Sequence, residues 1–253
     1  MRTPIKTLAF LGLLCIVFGL KAAAAEKTES SNVQMDASGR AQLPRQGTIT
    51  YRVGWSDSNL EVGQTSNEWK IDAGRYHLRS VAHTTGLARL LKSMSVVMES
   101  HGQVTPEGLR PDTFVVREGD KPVRQWAKFD WKNMKVHVGE QPEQTLQAGS
   151  QDVLSFNYNF GFMPDAALAR SLFVATGKKY RKYSISFVAR EEIEVPAGKF
   201  KTLHVRTPGE NTTELWLAYD YWLLPVKVRH IDKKGNSFVQ VATRIHISSE
   251  AKD

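Results

Sequence analysis

The sequence predicts a mainly β protein, formed by a strongly curved antiparallel sheet or a partly open β-barrel with two or three short inserted helices. Apolar and polar residues alternate with a period of two over many short segments, as in half-buried strands. Turns containing Pro, Gly and Asn separate these segments. Helical spacing of apolar residues is clearest in two stretches, residues 84–94 and 150–160.

The first 25 residues have the features of a signal peptide rather than of a folded element. Arg2 and Lys6 make the start positive, and residues 8–20 form an apolar segment too short to span a membrane as a mature helix. Ala23 to Ala25 offer a small-residue cleavage site, while an uncleaved anchor is the alternative interpretation. We expect cleavage and a soluble, exported protein in a bacterial periplasm.

Cleavage would remove Cys15, the single cysteine, which excludes a cysteine nucleophile and every thiolate metal site in the mature chain. It would also remove three positive residues and no acidic one, so the net charge would fall from +8 to +5 (8 − 3). A basic exported protein can meet anionic lipid headgroups, lipopolysaccharide or cell-wall polymers, although a diffusely charged surface explains the same composition. Nucleic acid is not an expected partner outside the cytoplasm.

The mature chain has 228 residues (253 − 25), which is enough for one large β domain. Residues 26–46 are polar and predict a flexible lead-in, and residues 47–250 predict a single β-rich domain. Apolar side chains at every second position of residues 48–55 predict its first strand. A hairpin is predicted to follow, closed around residues 72–74.

The stretch 84–94 predicts a short apolar helix, which a threonine at its start can cap. Leu87, Leu90 and Leu91 recur in it at helical spacing. An apolar helix inserted between strands commonly plugs an open sheet. The alternatives are a lid over a hydrophobic cavity and a surface that touches lipid.

Strand patterns resume between residues 95 and 138 and include a hairpin with Asp130 in its bend. A second helix is predicted from Ser150 to Phe160, with Ser150 as its cap and Phe156 and Phe160 on one side. Asp152 lies near the start of this helix, where a carboxylate complements the exposed amides and the helix dipole.

The last third of the chain, residues 183–247, is predicted to be a run of antiparallel strands joined by turns. The densest basic run, residues 178–182, comes just before it. Basic residues along a strand commonly keep a sheet edge from pairing with a neighbour, and the alternative is a patch for phosphate or carboxylate groups. Pro225 is predicted at an edge or a bulge, because proline cannot donate to a strand ladder.

Several short motifs occur in a characteristic order along the chain. They are Gly108-Leu109-Arg110-Pro111, Phe129-Asp130-Trp131, Gln151-Asp152 with Ser155, Val195-Pro196-Ala197-Gly198-Lys199-Phe200, Leu217-Ala218 and Leu224-Pro225-Val226-Lys227. This set resembles the family catalogued as domain of unknown function 3108, exported proteins of Gram-negative bacteria. The resemblance covers residues 47–247 and implies a periplasmic location and a β-rich fold. It implies no activity and no catalytic residues, and the similarity of this kind of fold to periplasmic lipoprotein carriers is an analogy that does not carry function.

Catalytic patterns are weak in this sequence. Asp130 and Asp152 are carboxylates near the motifs, but their spacing does not bring them together as a pair of glycan-hydrolysing carboxylates. The seven histidines are dispersed, and none are close enough along a helix to form a metal site. Strands can still bring His204, His230 and His246 together, and a zinc site is predicted only if they converge.

The leading hypothesis is a non-enzymatic periplasmic binding or accessory protein that acts in cell-envelope maintenance, with no cofactor and no metal. A lipid or another amphipathic ligand would be held by Leu87, Leu90, Leu91, Phe156 and Phe160. The alternative is an interaction module that docks on an envelope complex or regulator through a sheet edge. A cell-wall or glycan hydrolase that uses Asp130 or Asp152 is a third hypothesis. No membrane-spanning segment is expected after signal cleavage.

Overall fold

A computed structural model describes residues 43–55, 61–86, 94–163, 171–208 and 211–248. In these ranges the chain forms mainly β-strands, which confirms the predicted fold class. The strands are β1 (Gln46–Trp55), β2 (Glu61–Asp72), β3 (Arg75–Thr84), β4 (Ser95–Thr105), β5 (Gly108–Glu118), β6 (Gln125–Asp130), β7 (Lys135–Val138), β8 (Gln144–Thr145), β9 (Gln151–Asp152), β10 (Ser171–Ala175), β11 (Tyr180–Ser184), β12 (Ser186–Val195), β13 (Gly198–Thr207), β14 (Thr212–Ala218), β15 (Leu224–Ile231) and β16 (Ser237–Ser248). The described helices are α1 (Val153–Tyr158) and two 3-10 turns, η1 (Phe160–Phe162) and η2 (Tyr219–Tyr221).

Thirteen of these strands form one sheet in the order β12-β13-β14-β15-β16-β1-β2-β3-β4-β5-β6-β7-β8. Each neighbouring pair is antiparallel, and β16 pairs with β1, so the two ends of the domain meet in the middle of the sheet. The order ends at β12 and at β8, so the sheet stays open rather than closing into a barrel. A second sheet has the order β11-β10-β9, in which β10 and β9 are parallel.

Local chemistry accounts for the turns and bulges of the large sheet. The predicted β2–β3 hairpin closes through Ala73 and Gly74, which both have positive φ angles of 45° and 74°. This is the combination that a two-residue turn between twisted strands requires. Pro225 lies opposite Leu217, where the register between β14 and β15 shifts, so its prediction at a bulge is confirmed.

The described residues begin at Leu43, just before β1 and inside the segment predicted to be a flexible lead-in. Leu43 is buried in the core. The indole Nε1 of Trp69 donates to the carbonyl oxygen of Pro44 at 2.9 Å, and the Ile71 amide donates to the carbonyl oxygen of Arg45 at 2.6 Å. The end of the lead-in is therefore packed against β2.

Helix α1 packs against the inner side of the sheet, where it contacts several strands. Leu154 and Tyr158 join the larger apolar cluster, and Phe156 joins a second cluster formed largely by β13 and β14. A helix with apolar residues buried on opposite sides is an internal element rather than a surface one. Among the described residues, no helix has both the length and the apolar character that crossing a membrane requires.

Two element predictions change in the structure, and a third stays untested. The second helix begins at Val153 instead of Ser150, because Ser150 donates to the carbonyl oxygen of Gln147 at 2.6 Å while Asp152 caps the helix. The run of strands predicted from residue 183 is interrupted at Ile185, so that β11 and β12 belong to different sheets. Most of the predicted 84–94 helix lies outside the described residues.

Candidate functional site

The predicted ligand-binding residues fall into two groups. Phe156 and Phe160 are buried, with exposed fractions of 8% and 0%, and their rings meet edge to face at 5.0 Å. They pack with apolar side chains of β13 and β14 in the second cluster. Leu87, Leu90 and Leu91 lie outside the described residues. The ligand-binding role of all five stays a prediction.

Asp152 is a fully buried carboxyl group that joins helix α1 to the sheet. Its Oδ1 accepts from the amides of Leu154 and Ser155 at 2.8 and 2.9 Å, and its Oδ2 accepts from the Ser100 hydroxyl at 2.6 Å. The Ser155 hydroxyl accepts from the Asp152 amide at 3.0 Å, which completes a capping box. Ser100 lies 3.1 Å from the Tyr76 hydroxyl, so the connection runs from α1 through β4 to β3.

Burial has the largest effect on the pKa values of Asp152 and Tyr76. It raises the pKa of the Asp152 carboxyl to about 6, while the hydrogen bonds from Ser100, Ser155 and Leu154 lower it. Burial, and then the negative charge of Asp152, raise the pKa of the Tyr76 phenol well above its ordinary value. Since the Asp152 carboxyl group is buried and already hydrogen-bonded, its role in the structure is to hold helix α1 in place.

Asp130, the other carboxylate of the hydrolase hypothesis, also makes local hydrogen bonds. It is the last residue of β6, at the start of the bend to β7, and its oxygens accept from the amide and the side-chain nitrogen of Asn133 at 3.0 and 2.8 Å. These bonds lower its pKa. Asp130 therefore lies at the predicted hairpin bend, where it accepts hydrogen bonds. Its contacts and those of Asp152 are structural, and they give the hydrolase hypothesis no geometric support.

The three histidines of the zinc hypothesis have different partners. Nδ1 of His204 lies 3.0 Å from a carboxylate oxygen of Glu191, and Nδ1 of His230 lies 3.1 Å from the Thr213 hydroxyl. His246 lines a groove on β16. In the part of the chain that the structure describes, no three His, Cys, Asp or Glu side chains group as metal ligands.

The described surface feature best suited to binding a partner is β12, the edge strand of the large sheet. This ten-residue strand pairs with β13 on one side only. An edge strand presents backbone N–H and C=O groups on the side away from its neighbour. Phe187 and Val188 expose 48% and 39% of their surface on it, and a bulge lies between Phe187 and Ala189.

Side chains around Phe187 extend the apolar surface. The Arg190 guanidinium lies 5.5 Å from the centre of the Phe187 ring, and its Nε donates to the Tyr219 hydroxyl at 3.0 Å. Tyr219 is itself 39% exposed. We call Phe187, Val188, Arg190 and Tyr219 the β12 patch. It combines apolar area with a cation, a combination that is common in protein interfaces.

The paired side of β12 is anchored by a compact polar and aromatic cluster. A single oxygen of Glu191 accepts from the Trp216 indole at 2.7 Å and lies 3.0 Å from Nδ1 of His204. The His204 ring stacks on Trp216 at 4.1 Å, and the Lys227 ammonium lies 4.3 Å from the Trp216 ring centre. Burial is the main reason that the pKa of His204 is lowered. At the far end of the strand, the Ala197 amide donates to the carbonyl oxygen of Ala242 on β16 at 3.0 Å.

The other described sheet ends present less backbone. β8 has only two residues, and β11 has five. β11 contains Arg181 and Lys182 from the predicted basic run, both exposed, and it is an edge strand as that interpretation required. Its charges protect this edge from non-specific pairing.

Sequence reasoning missed β12 as the edge of the large sheet. Two signals could have indicated it. Phe187 and Val188 are adjacent, which breaks the period of two, and three glutamates follow within six residues. A strand with charges on both faces is typical of a sheet edge.

Comparison with protein families gives one match over most of the chain. The family described as "Protein of unknown function (DUF3108)" matches residues 49–243. No curated protein matches the chain.

One solved structure similar to the fold is titled as a β-barrel-like protein of domain of unknown function DUF1849 from Brucella abortus. The two chains are 10% identical, with a TM-score of 0.54. The similarity covers 82% of this chain and 100% of the other. At this identity the likeness concerns the fold alone.

Proposed function

Since this chain belongs to the family described as protein of unknown function DUF3108, whose description names no activity, we propose a function from its own geometry. The protein is a non-enzymatic accessory protein of the periplasm that binds an extended segment of an envelope protein alongside β12. This is β-augmentation, in which backbone hydrogen bonds supply affinity and side chains supply specificity.

The observation that carries the proposal is the combination of a long free edge with exposed apolar side chains. Among the described residues, β12 has ten residues and a single neighbouring strand, β13, and its Phe187 and Val188 side chains are exposed. Natural proteins usually protect such edges, because an exposed edge strand can pair with another chain. An edge that stays long and partly apolar is therefore suited to a specific partner.

The charges of β12 define the chemistry of that partner. The exposed apolar residues, Phe187 and Val188, lie in the first half of the strand, whereas Glu192 and Glu194 are exposed in the second half. Lys199 lies 3.6 Å from Glu194, and Lys201 is the cross-strand partner of Glu192; all four side chains are exposed to solvent. Exposed pairs contribute little energy, so the acidic character remains available. The expected partner is an extended segment with apolar side chains at one end and basic side chains at the other.

Preorganisation supports binding at this edge. Glu191, Trp216 and His204 tie the middle of β12 to the sheet, and the Ala197–Ala242 hydrogen bond ties its end. A strand that is already ordered loses less conformational entropy when a partner pairs with it. The inner side of the sheet offers no comparable surface among the described residues, because Phe156 packs there with β13 and β14.

The proposal is tested with a synthetic peptide that has alternating valines in one half and alternating lysines in the other. Hydrogen exchange of residues 186–195 is followed by NMR during titration. Saturable binding with protection of these amides is expected, because pairing covers the free backbone edge. A peptide with the same side chains and N-methylated amides on its pairing side should not bind.

Two matched double variants test whether the β12 patch is the surface that binds the peptide. Phe187→Glu with Val188→Glu should weaken peptide binding at least about tenfold, because it replaces the apolar contacts by charges. Val123→Glu with Met134→Glu makes the same chemical change at exposed apolar residues elsewhere and should bind like the wild type. Equal loss in both variants, or binding without protection of β12, would show that the edge is not the site.

A further inference from the structure

A second surface feature lies away from β12, on the outer side of β16, β1, β2 and β3. It is an open groove of about 400 Å³ near the start of β1. The side chains of Lys70, His77, Arg79 and His246 line it, together with Thr48 and Glu68. We call these six residues the outer groove.

Strand register explains why these side chains come together. Lys70 is the cross-strand partner of His77, and Glu68 is the partner of Arg79. Thr48 pairs with both Glu68 and His246. Successive residues of a strand point to opposite faces.

The core residues between them establish which face this is. Trp69, between Glu68 and Lys70, is in the core, and so is Leu78, between His77 and Arg79. The groove side chains therefore point away from the core. The short Thr48 side chain leaves space among the longer basic ones.

The charge of the six groove residues is positive on balance, because the two cations Lys70 and Arg79 outweigh the single carboxylate of Glu68. Lys70 and Arg79 are cations, and the two imidazoles add N–H donors. Glu99 lies beside the groove, but its carboxylate is shared by three basic side chains. They are His77 at 3.8 Å, Arg79 at 3.9 Å, and Arg117, which contacts it directly. Because three basic side chains share the Glu99 carboxylate, its negative charge offsets the positive charge of Lys70 and Arg79 only in part.

We propose that the outer groove binds a single phosphate group. Lys70 and Arg79 supply the charge, and His77 and His246 supply further hydrogen bonds. Charge-assisted hydrogen bonds from guanidinium and ammonium groups are the usual means of holding phosphate. Glu68 disfavours a longer polyanion, because it places a negative charge beside the site. The group belongs either to a lipid headgroup or to a soluble phosphate compound. This site shares no residue with the β12 patch and does not depend on the function proposed for it.

The first arm of the test uses inorganic phosphate at a fixed ionic strength of about 0.15 M. The imidazole signals of His77 and His246 are followed by NMR, and saturable shifts of both are expected. Lys70→Gln with Arg79→Gln should lower phosphate affinity at least about tenfold, because it removes both cations. Lys128→Gln with Lys201→Gln removes two exposed cations outside the groove and should change the affinity less than about twofold.

The second arm identifies the source of the phosphate with vesicles of phosphatidylcholine, with or without phosphatidylglycerol. Flotation with the anionic vesicles, lost in the groove variant alone, assigns the group to a lipid headgroup. Saturable phosphate binding without flotation assigns it to a soluble compound. The proposal is overturned if the imidazole signals do not shift saturably, or if the two double variants lose the same affinity. Thermal unfolding of each variant verifies that it is folded.

Discussion

Replacing Asp152 by Asn should change how the stability of the protein depends on pH. The folded pKa of Asp152 is about 6, above the ordinary 3.8, because the carboxyl group is buried. For an acid with a raised folded pKa, the stabilising contribution is complete below the unfolded pKa and is lost as the pH rises through the folded one. The wild type should therefore lose stability from this group between about pH 4 and pH 6.

The magnitude follows from the size of the shift. One pKa unit corresponds to about 1.4 kcal/mol, so a shift of about two units is worth on the order of 3 kcal/mol. An asparagine keeps the oxygen that accepts from the Leu154 and Ser155 amides, and its amide nitrogen can donate to the Ser100 hydroxyl. It cannot ionise. The stability of the Asn variant relative to the wild type should rise by roughly this amount between pH 4 and pH 7.5.

Urea unfolding at pH 4, 5, 6 and 7.5 measures the effect in both proteins. Asp152→Ala is the control, since it removes the cap and leaves Ser100 without its partner. Relative to the Asn variant, which does not ionise either, it should cost about 1–3 kcal/mol at every pH. A constant difference between the wild type and the Asn variant across this range would refute the reasoning. So would an Asn variant as unstable as the Ala variant.

Two further predictions concern the closely packed Gly108 and the predicted lid formed by residues 84–94. Gly108→Ala should destabilise the protein by several kcal/mol in urea unfolding, since a Cβ would lie 2.2 Å from the Asn159 side chain at a φ of 127°. Gly149→Ala, at a φ of 72° with no atom in reach, should cost only about 1 kcal/mol, and equal losses would contradict this account. Leu90→Asp with Leu91→Asp should abolish co-purification of an apolar ligand in native mass spectrometry while leaving the circular dichroism spectrum unchanged. A bound mass that persists in this variant would remove the lid hypothesis.

Much of the local structure could be predicted because its causes are local. Alternating side chains predict β1, and the β2–β3 hairpin closes where its turn residues allow positive φ angles. Pro225 lies at a bulge because it lacks an N–H group, whatever the rest of the fold does. Asp152 meets the helix amides as predicted, although the start of the helix is shifted from Ser150 to Val153.

The candidate sites depend on causes that are not local. Phe187 and Val188 become an edge surface because β16 pairs with β1, which leaves β12 at the end of the sheet. The sequence contains the strands but not the order in which they pair. His77 and His246 line the same groove although 169 residues separate them (246 − 77), because register places both near Thr48 on the outer side.

By itself, the sequence determined the β class, the β2–β3 and β6–β7 turns and the family resemblance. These depend on alternation, on backbone φ preferences and on short motifs, all of which act over a few residues. Only the tertiary structure decided that the sheet stays open, that β12 is its long edge and that Asp152 is fully buried. Strand order and burial are set by packing among segments far apart in the chain, where many pairings satisfy the same local patterns.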